Sequence, residues 1–276
     1  MSLSQQAMLA NLTISQWTAR KYDKTATGDV ETKHGAKDAG RFNKLLIDKS
    51  ALEPIAQLVG KLRTEHYNMT LPWGDNGDRL LPSKLYLQYT QEMRGLRSQF
   101  DTAVYTFISG YPALVQAARR RLGTLYDATD YPNPSDIASR FCMSTSFTPV
   151  PDAKDFRVDV AAEDAEQIRA DITRMVRDRQ AEATRDAFRR AKEVVTRVHD
   201  RLSADKIIIH ESLMDNVREL IDMLPAFNLT DDPGLTQLHA ELKNLWCAPK
   251  ILRANAFVRE SAAKAAGDII QRMGWA

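Results

Sequence analysis

The sequence predicts a mainly α-helical protein with a small antiparallel β-sheet, an α+β fold in which antiparallel helices pack along one long central helix. Three observations predict it. Ala161 to Ser203 runs 43 residues without Pro or Gly and is filled with Arg, Ala, Glu and Asp. As a single helix it would be roughly 63 Å long at a rise of about 1.5 Å per residue. Ser83 to Ser109 carries Leu85, Tyr89, Met93, Leu96, Phe100, Val104 and Phe107 at steps of four, four, three, four, four and three, a sustained helical seam. Three stretches rich in β-branched and aromatic residues, Asn11 to Ala19, Phe141 to Val150 and Phe156 to Val160, read as strands.

Taken in order, Asn11 to Ala19 alternates loosely, with Leu12 and Ile14 on one face. Arg20 to Lys37 is polar, contains Gly28 and Gly35, and reads as a mildly basic loop. Ala39 to Ile47 reads as a short helix. Ser50 and Glu53 have capping-box spacing for the next one, and Pro54 falls in its first turn, where a missing N–H costs little. Leu52, Ile55, Leu58, Val59 and Leu62 give that helix its period. Thr70 to Pro82 reads as a loop built on the Asn76-Gly77 turn. Gly110 ends the Ser83 seam. Pro112 starts another helix to about Tyr126, so the two form a hairpin or a kinked pair. After a loop at Asp127 to Asp136 and a short helix at Ser135 to Arg140, a β-hairpin is expected. Its strands are Phe141 to Val150 and Phe156 to Val160, with Phe156, Val158 and Val160 inward. The N-terminal strand is its natural third member, since a lone hairpin is marginal in water.

The long helix divides by composition. Its start carries Ala165, Ile168, Ile172 and Met175, and its end carries Ala187, Ala191, Val194, Val198 and Leu202. Both ends are expected in the core. Between them, Arg177 to Asp186 offers only Ala181 and Ala183 as apolar residues, a polar waist. Three helices follow, from Lys206 to Leu224 with Ser203 as cap, from Asp231 to Trp246 with acids at its positive end, and from Pro249 to Met273. The whole reads as one domain over residues 1–276, with a division into a mixed part at 1–160 and an all-helical part at 161–276 as the alternative.

The chain holds 38 Lys and Arg against 36 Asp and Glu, a net charge of +2, which excludes a polyanion binder acting through bulk charge. Two cysteines, Cys142 and Cys247, make no disulfide framework and fit a reducing cytosol. No apolar run approaches the roughly 18 residues of a membrane span, and the first six residues lack the pattern of a signal peptide. A cytoplasmic protein without membrane contact is expected.

Signatures of catalysis are absent from the sequence. There is no Gly-x4-Gly-Lys-Ser/Thr, no Gly-x-Gly-x-x-Gly and no Gly-x-Ser-x-Gly. His34, His66, His199, His210 and His239 are isolated, and no pair has metal-ligand spacing. No catalytic residue, cofactor or metal is therefore expected. An enzyme whose site forms only on folding stays as a third reading.

Two binding readings remain. Nucleic acid, most plausibly single-stranded, would use Arg20, Lys21 and Lys24 beside Trp17 and Tyr22, the run Arg119, Arg120 and Arg121, and the long-helix residues Arg174, Arg177, Arg185 and Arg189. Cations beside aromatic faces are what unpaired bases stack on. Acids at helical spacing, such as Glu182 to Arg185 and Asp186 to Arg189, equally describe a solvated face. The leading reading is self-assembly or a protein partner, met at the waist through Arg177, Arg179, Ala181, Ala183 and Asp186.

Leu12-Thr13-Ile14-Ser15-Gln16-Trp17-Thr18-Ala19-Arg20-Lys21 resembles the opening of an uncharacterised phage and bacterial family of unknown function. Pro149-Val150-Pro151, Asp155-Phe156-Arg157-Val158 and the segments Leu252-Arg253 and Val258-Arg259 add to that likeness, which covers about a third of the chain. The resemblance implies a mostly helical, phage-encoded adaptor or complex subunit and supplies no active residues.

Overall fold

A computed structural model of the chain describes residues 2–156, 158, 160–204 and 208–275. The protein is α+β, mostly helical, with a small four-stranded sheet and a long helix packed by others. In chain order the elements are α1 (Leu3–Gln6), β1 (Ala7–Ser15), β2 (Arg20–Tyr22), α2 (Lys24–His34), β3 (Asn43–Leu45), α3 (Lys49–Met69), β4 (Leu71–Pro72), β5 (Asp78–Pro82) and α4 (Tyr86–Leu122). There follow α5 (Pro134–Ala138), β6 (Cys142–Pro149), α6 (Ala162–Leu202), α7 (Glu211–Phe227), α8 (Pro233–Leu245), α9 (Pro249–Ala254) and α10 (Ala256–Arg272). No helix among the described residues is long and apolar enough to cross a membrane.

The sheet has the order β4-β5-β1-β6. Strand β5 runs antiparallel to both β1 and β4, with Leu80 opposite Leu9 on one side and Leu71 on the other. All three leucines are buried. Strands β2 and β3 form a separate antiparallel pair, Arg20 opposite Leu45.

The chain forms two compact units, neither continuous in sequence. One holds Met1–Asn11, Tyr67–Gln88 and Ser146–Ala276. Its helical core is the second half of α6 (Ala183, Ala187, Ala191, Val195, Val198 and Leu202) set against α7 and α10, with α8 packed on those two helices. Alanines on α6 and Ala262 and Ala266 on α10 let those two backbones come close. At Gly267 an added Cβ would stand 3.4 Å from the His199 ring. The other unit holds Leu12–His66 and Tyr89–Thr145. Here Ile55, Val59 and Leu62 of α3 and Tyr89, Met93, Leu96 and Phe100 of α4 are buried. His66 Nδ1 is hydrogen-bonded to Tyr89 Oη at 2.8 Å inside this unit. Burial pushes the Tyr89 phenol far above its ordinary range.

Several local expectations are corrected. The stretch expected as a loop contains α2, capped by Asp23, which accepts from the Ala26 amide at 3.0 Å, and closed by Gly35 at φ +60°. No helix forms at Ala39 to Ile47; within it Asn43–Leu45 is strand β3. Asp48, not Ser50, caps α3, accepting from the Ser50 amide at 2.9 Å and hydroxyl at 2.7 Å. Strands β4 and β5 occupy the expected loop after α3. Helix α4 runs 37 residues through Gly110 and Pro112, because Phe107 and Tyr111 on the same helix pack on Trp17.

Among the described residues, the hairpin expected before α6 has only its first strand. Phe156, Val158 and Val160 are outside any strand, and Val158 and Val160 are exposed rather than inward. Arg157 and Asp159 lie outside the described residues. Instead of turning back as a strand, the chain makes a 3-10 turn at Ala153–Asp155, fixed by Asp152 accepting from the Lys154 amide at 3.0 Å. Strand β6 has β1 as its neighbour instead. Helix α7 starts at Glu211, while the expected start at Lys206 lies outside the described residues. Ser203 closes α6 and does not open α7.

Candidate partner-binding face

The cations singled out in the sequence have specific local partners. In the unit built on α3 and α4, Arg20 is exposed in β2 and Lys24 begins α2. Lys21 is ion-paired with buried Asp130. Arg119, Arg120 and Arg121 form the last turn of α4, where cations suit the negative helix end. Arg119 lies 6.0 Å from the Tyr126 ring centroid, and Arg121 donates to the Leu45 carbonyl at 2.6 Å. In the other unit, each of the four long-helix arginines meets an acid of its own helix. Arg174 lies 3.3 Å from Asp171, Arg177 3.8 Å from Asp178 and Arg185 2.6 Å from Glu182. Arg189 pairs with Asp186 and, at 3.1 Å, with Glu193.

Helix α6 is divided differently from the sequence reading. Its 41 residues span about 60 Å. From Ala183 onward it is embedded in its unit. Before Ala183 only Ala165 is buried. Ile168, Ile172 and Val176 are half-buried, and Met175 is 39% exposed, so the first apolar stripe is not core. The waist is divided too. Arg177 and Ala181 are exposed and Arg179 is half-buried, whereas Ala183 and Asp186 are only 2% and 5% exposed.

Asp186 is an internal anchor. Arg190 donates from Nε to it at 2.8 Å and reaches the Asn68 carbonyl at 2.9 Å and the Thr70 carbonyl at 2.6 Å. Thr70 also accepts from Arg79 Nε at 2.7 Å. Those bonds fasten the end of α3 and Thr70 to the middle of α6. They hold the middle of the helix, while the first half has a single buried residue, Ala165.

The exposed side of the first half has a regular order. Glu163, Glu166, Ala170, Arg174 and Arg177 follow at steps of three, four, four and three, and all five are exposed. The Arg174 and Arg177 side chains are 62% and 78% accessible. Glu163, at the start of the helix, also suits the positive end of its dipole. The signal that identifies the two acids as part of a face is their spacing from the two arginines.

A cleft of about 260 Å³ between α6 and α7 has Val194, Leu220 and Phe227 below and Glu193, Arg197 and Glu219 at its rim. Among the described residues there is no group of three His, Cys, Asp or Glu suited to a metal ion. Carboxyls with lowered pKa owe it mainly to turn and cap bonds: Asp48 to Ser50, Asp127 to the Thr129 amide and Asp152 to the Lys154 amide. The chain matches no protein-family model, no curated protein and no solved structure at a significant level.

Proposed function

We propose that this is a non-enzymatic, cytoplasmic helical protein that acts by assembling, with itself or with protein partners, through the first half of α6. The observation that carries the reading is the contrast within one helix. Ala183 to Leu202 is bedded in its unit, while Ala162 to Glu182 buries one residue. Helices in proteins owe most of their stability to a packed face. A surface supplied by another molecule would complete that face here. Light scattering across a concentration series tests this. Assembly predicts masses above 31.1 kDa that rise with concentration. A constant 31.1 kDa with no captured partner removes the reading.

Nucleic-acid binding is the second reading, and it has less support. It rests on Arg20, Lys24 and Arg120, since the other proposed cations have partners within the chain. A phage or bacterial origin rests on the segment likeness alone.

A further inference from the structure

The stripe Glu163, Glu166, Ala170, Arg174, Arg177 is symmetric about Ala170 in position and inverted in charge. The acids stand seven and four residues before it, and the arginines four and seven after it. From that pattern we infer that a second copy of this chain docks antiparallel on this face, with the two-fold axis at Ala170. Glu163 then faces the partner's Arg177, Glu166 faces the partner's Arg174, and symmetry repeats both pairs. This rests on the reading of the α6 half-helix as an assembly surface, and it names the occupant.

Three further features select this arrangement. Mirrored positions flanking the stripe carry no like charges: Gln167 matches Thr173, Ile168 matches Ile172, and Arg169 matches Asp171. A parallel pairing would instead set each acid on its own copy and each arginine on its own copy. Ala170 at the crossing is small enough for close approach of two helices. Finally, Glu163 with Glu166, and Arg174 with Arg177, are like charges three residues apart, which weakens an isolated helix. A partner with the opposite order relieves both. The helix dipole favours Glu163 near the N-terminus but gives no reason for paired arginines in mid-helix. The Asp171 and Asp178 contacts of those arginines are solvent-exposed and exchangeable.

Because the contact rests on exposed charge pairs, its dimer is weakened by salt. The test is sedimentation equilibrium of the full chain at low ionic strength with two variants. One carries Glu163→Arg and Glu166→Arg, the other Arg174→Glu and Arg177→Glu. Each alone is expected to self-associate at least about tenfold more weakly than the unaltered chain, a loss of about 1.4 kcal/mol. An equimolar mixture of the two is expected to recover the association. Circular dichroism verifies that both fold. A measurement free of charge changes uses Ala170→Cys in a Cys142→Ser, Cys247→Ser background. Copper-phenanthroline oxidation should cross-link it rapidly, and Thr173→Cys in the same background should cross-link far more slowly. If the unaltered chain assembles but the charge variants associate equally well and the Ala170→Cys variant does not cross-link, the two-fold geometry is wrong and the assembly reading survives. If the unaltered chain stays monomeric throughout, the two-fold dimer fails, and the assembly reading fails with it when no protein partner is captured either.

Discussion

Lys44 is the residue on which the α3–α4 unit places its most concentrated electrostatics. Only 7% exposed, its ammonium lies 2.5 Å from Asp130 and 3.1 Å from Asp23, and donates to the Leu125 carbonyl at 3.0 Å. The bond to Asp130 raises the Lys44 pKa against the opposing effect of burial. The Ala26 amide first, and Lys44 second, hold the Asp23 carboxyl below its usual range. A raised lysine contributes stability that is full below its unfolded pKa of about 10.4 and is lost as pH rises through the folded value. A lowered aspartate contributes stability that is full above about 3.9 and is lost as pH falls through the folded value. The network therefore supports the unit between those limits and weakens beyond either. Lys44→Met leaves buried Asp130 with only the half-exposed Lys21. Urea unfolding of this variant is expected to show a loss of about 3–5 kcal/mol and a flatter alkaline limb. An unchanged midpoint would mean the network adds nothing net. In the sequence Lys44 is one polar residue among many. Its partners lie 21 and 86 positions away, and nothing local announces them.

At the scale of elements, helices with an apolar seam were legible and those without one were not. The residues Leu85 to Phe107 gave α4 its period, and α3 and α6 were equally plain. Helix α2 buries only Thr27, so its signals were its ends, Asp23 and Gly35, in a stretch whose composition suggests a loop. Strands β3, β4 and β5 are two to five residues long. They exist through pairing with residues elsewhere in the chain, which local propensity does not register. Pro112 suggested a break in α4, and tertiary packing of Phe107 and Tyr111 overrides it. That leaves intrinsic costs in the helix. Gly110 lies in mid-helix with nothing within 4 Å of an added Cβ. Gly110→Ala is therefore expected to raise stability by about 0.5–1 kcal/mol. Pro112→Ala should add to it by restoring a backbone donor. Thermal or urea unfolding measures both, and a fall in midpoint for Gly110→Ala would show that α4 needs flexibility there.

For the whole molecule, the sequence supplied the fold class and the balance of charge, but not how the chain divides. Each compact unit joins segments far apart in sequence, as Met1–Asn11 with Ser146–Ala276, and such long-range closure has no local marker. Of the waist residues named from the sequence, Arg177 and Ala181 are exposed, whereas Ala183 and Asp186 are buried. Nothing local in the sequence marks Glu163 and Glu166 as part of a face, since acids near a helix start suit the dipole. The basic residues invite a last expectation. Polyanion binding grows with the number of cations that displace counterions. Net charge is +2, and Lys21 and the four α6 arginines each already face an acid. A fluorescent single-stranded oligonucleotide is therefore expected to show no saturable binding at about 150 mM salt. Changing Arg119, Arg120 and Arg121 together to Ala should leave that result unmoved. Tight binding that falls steeply between about 50 and 200 mM salt, and is lost in the triple variant, would restore nucleic acid as the partner and place its site at the end of α4.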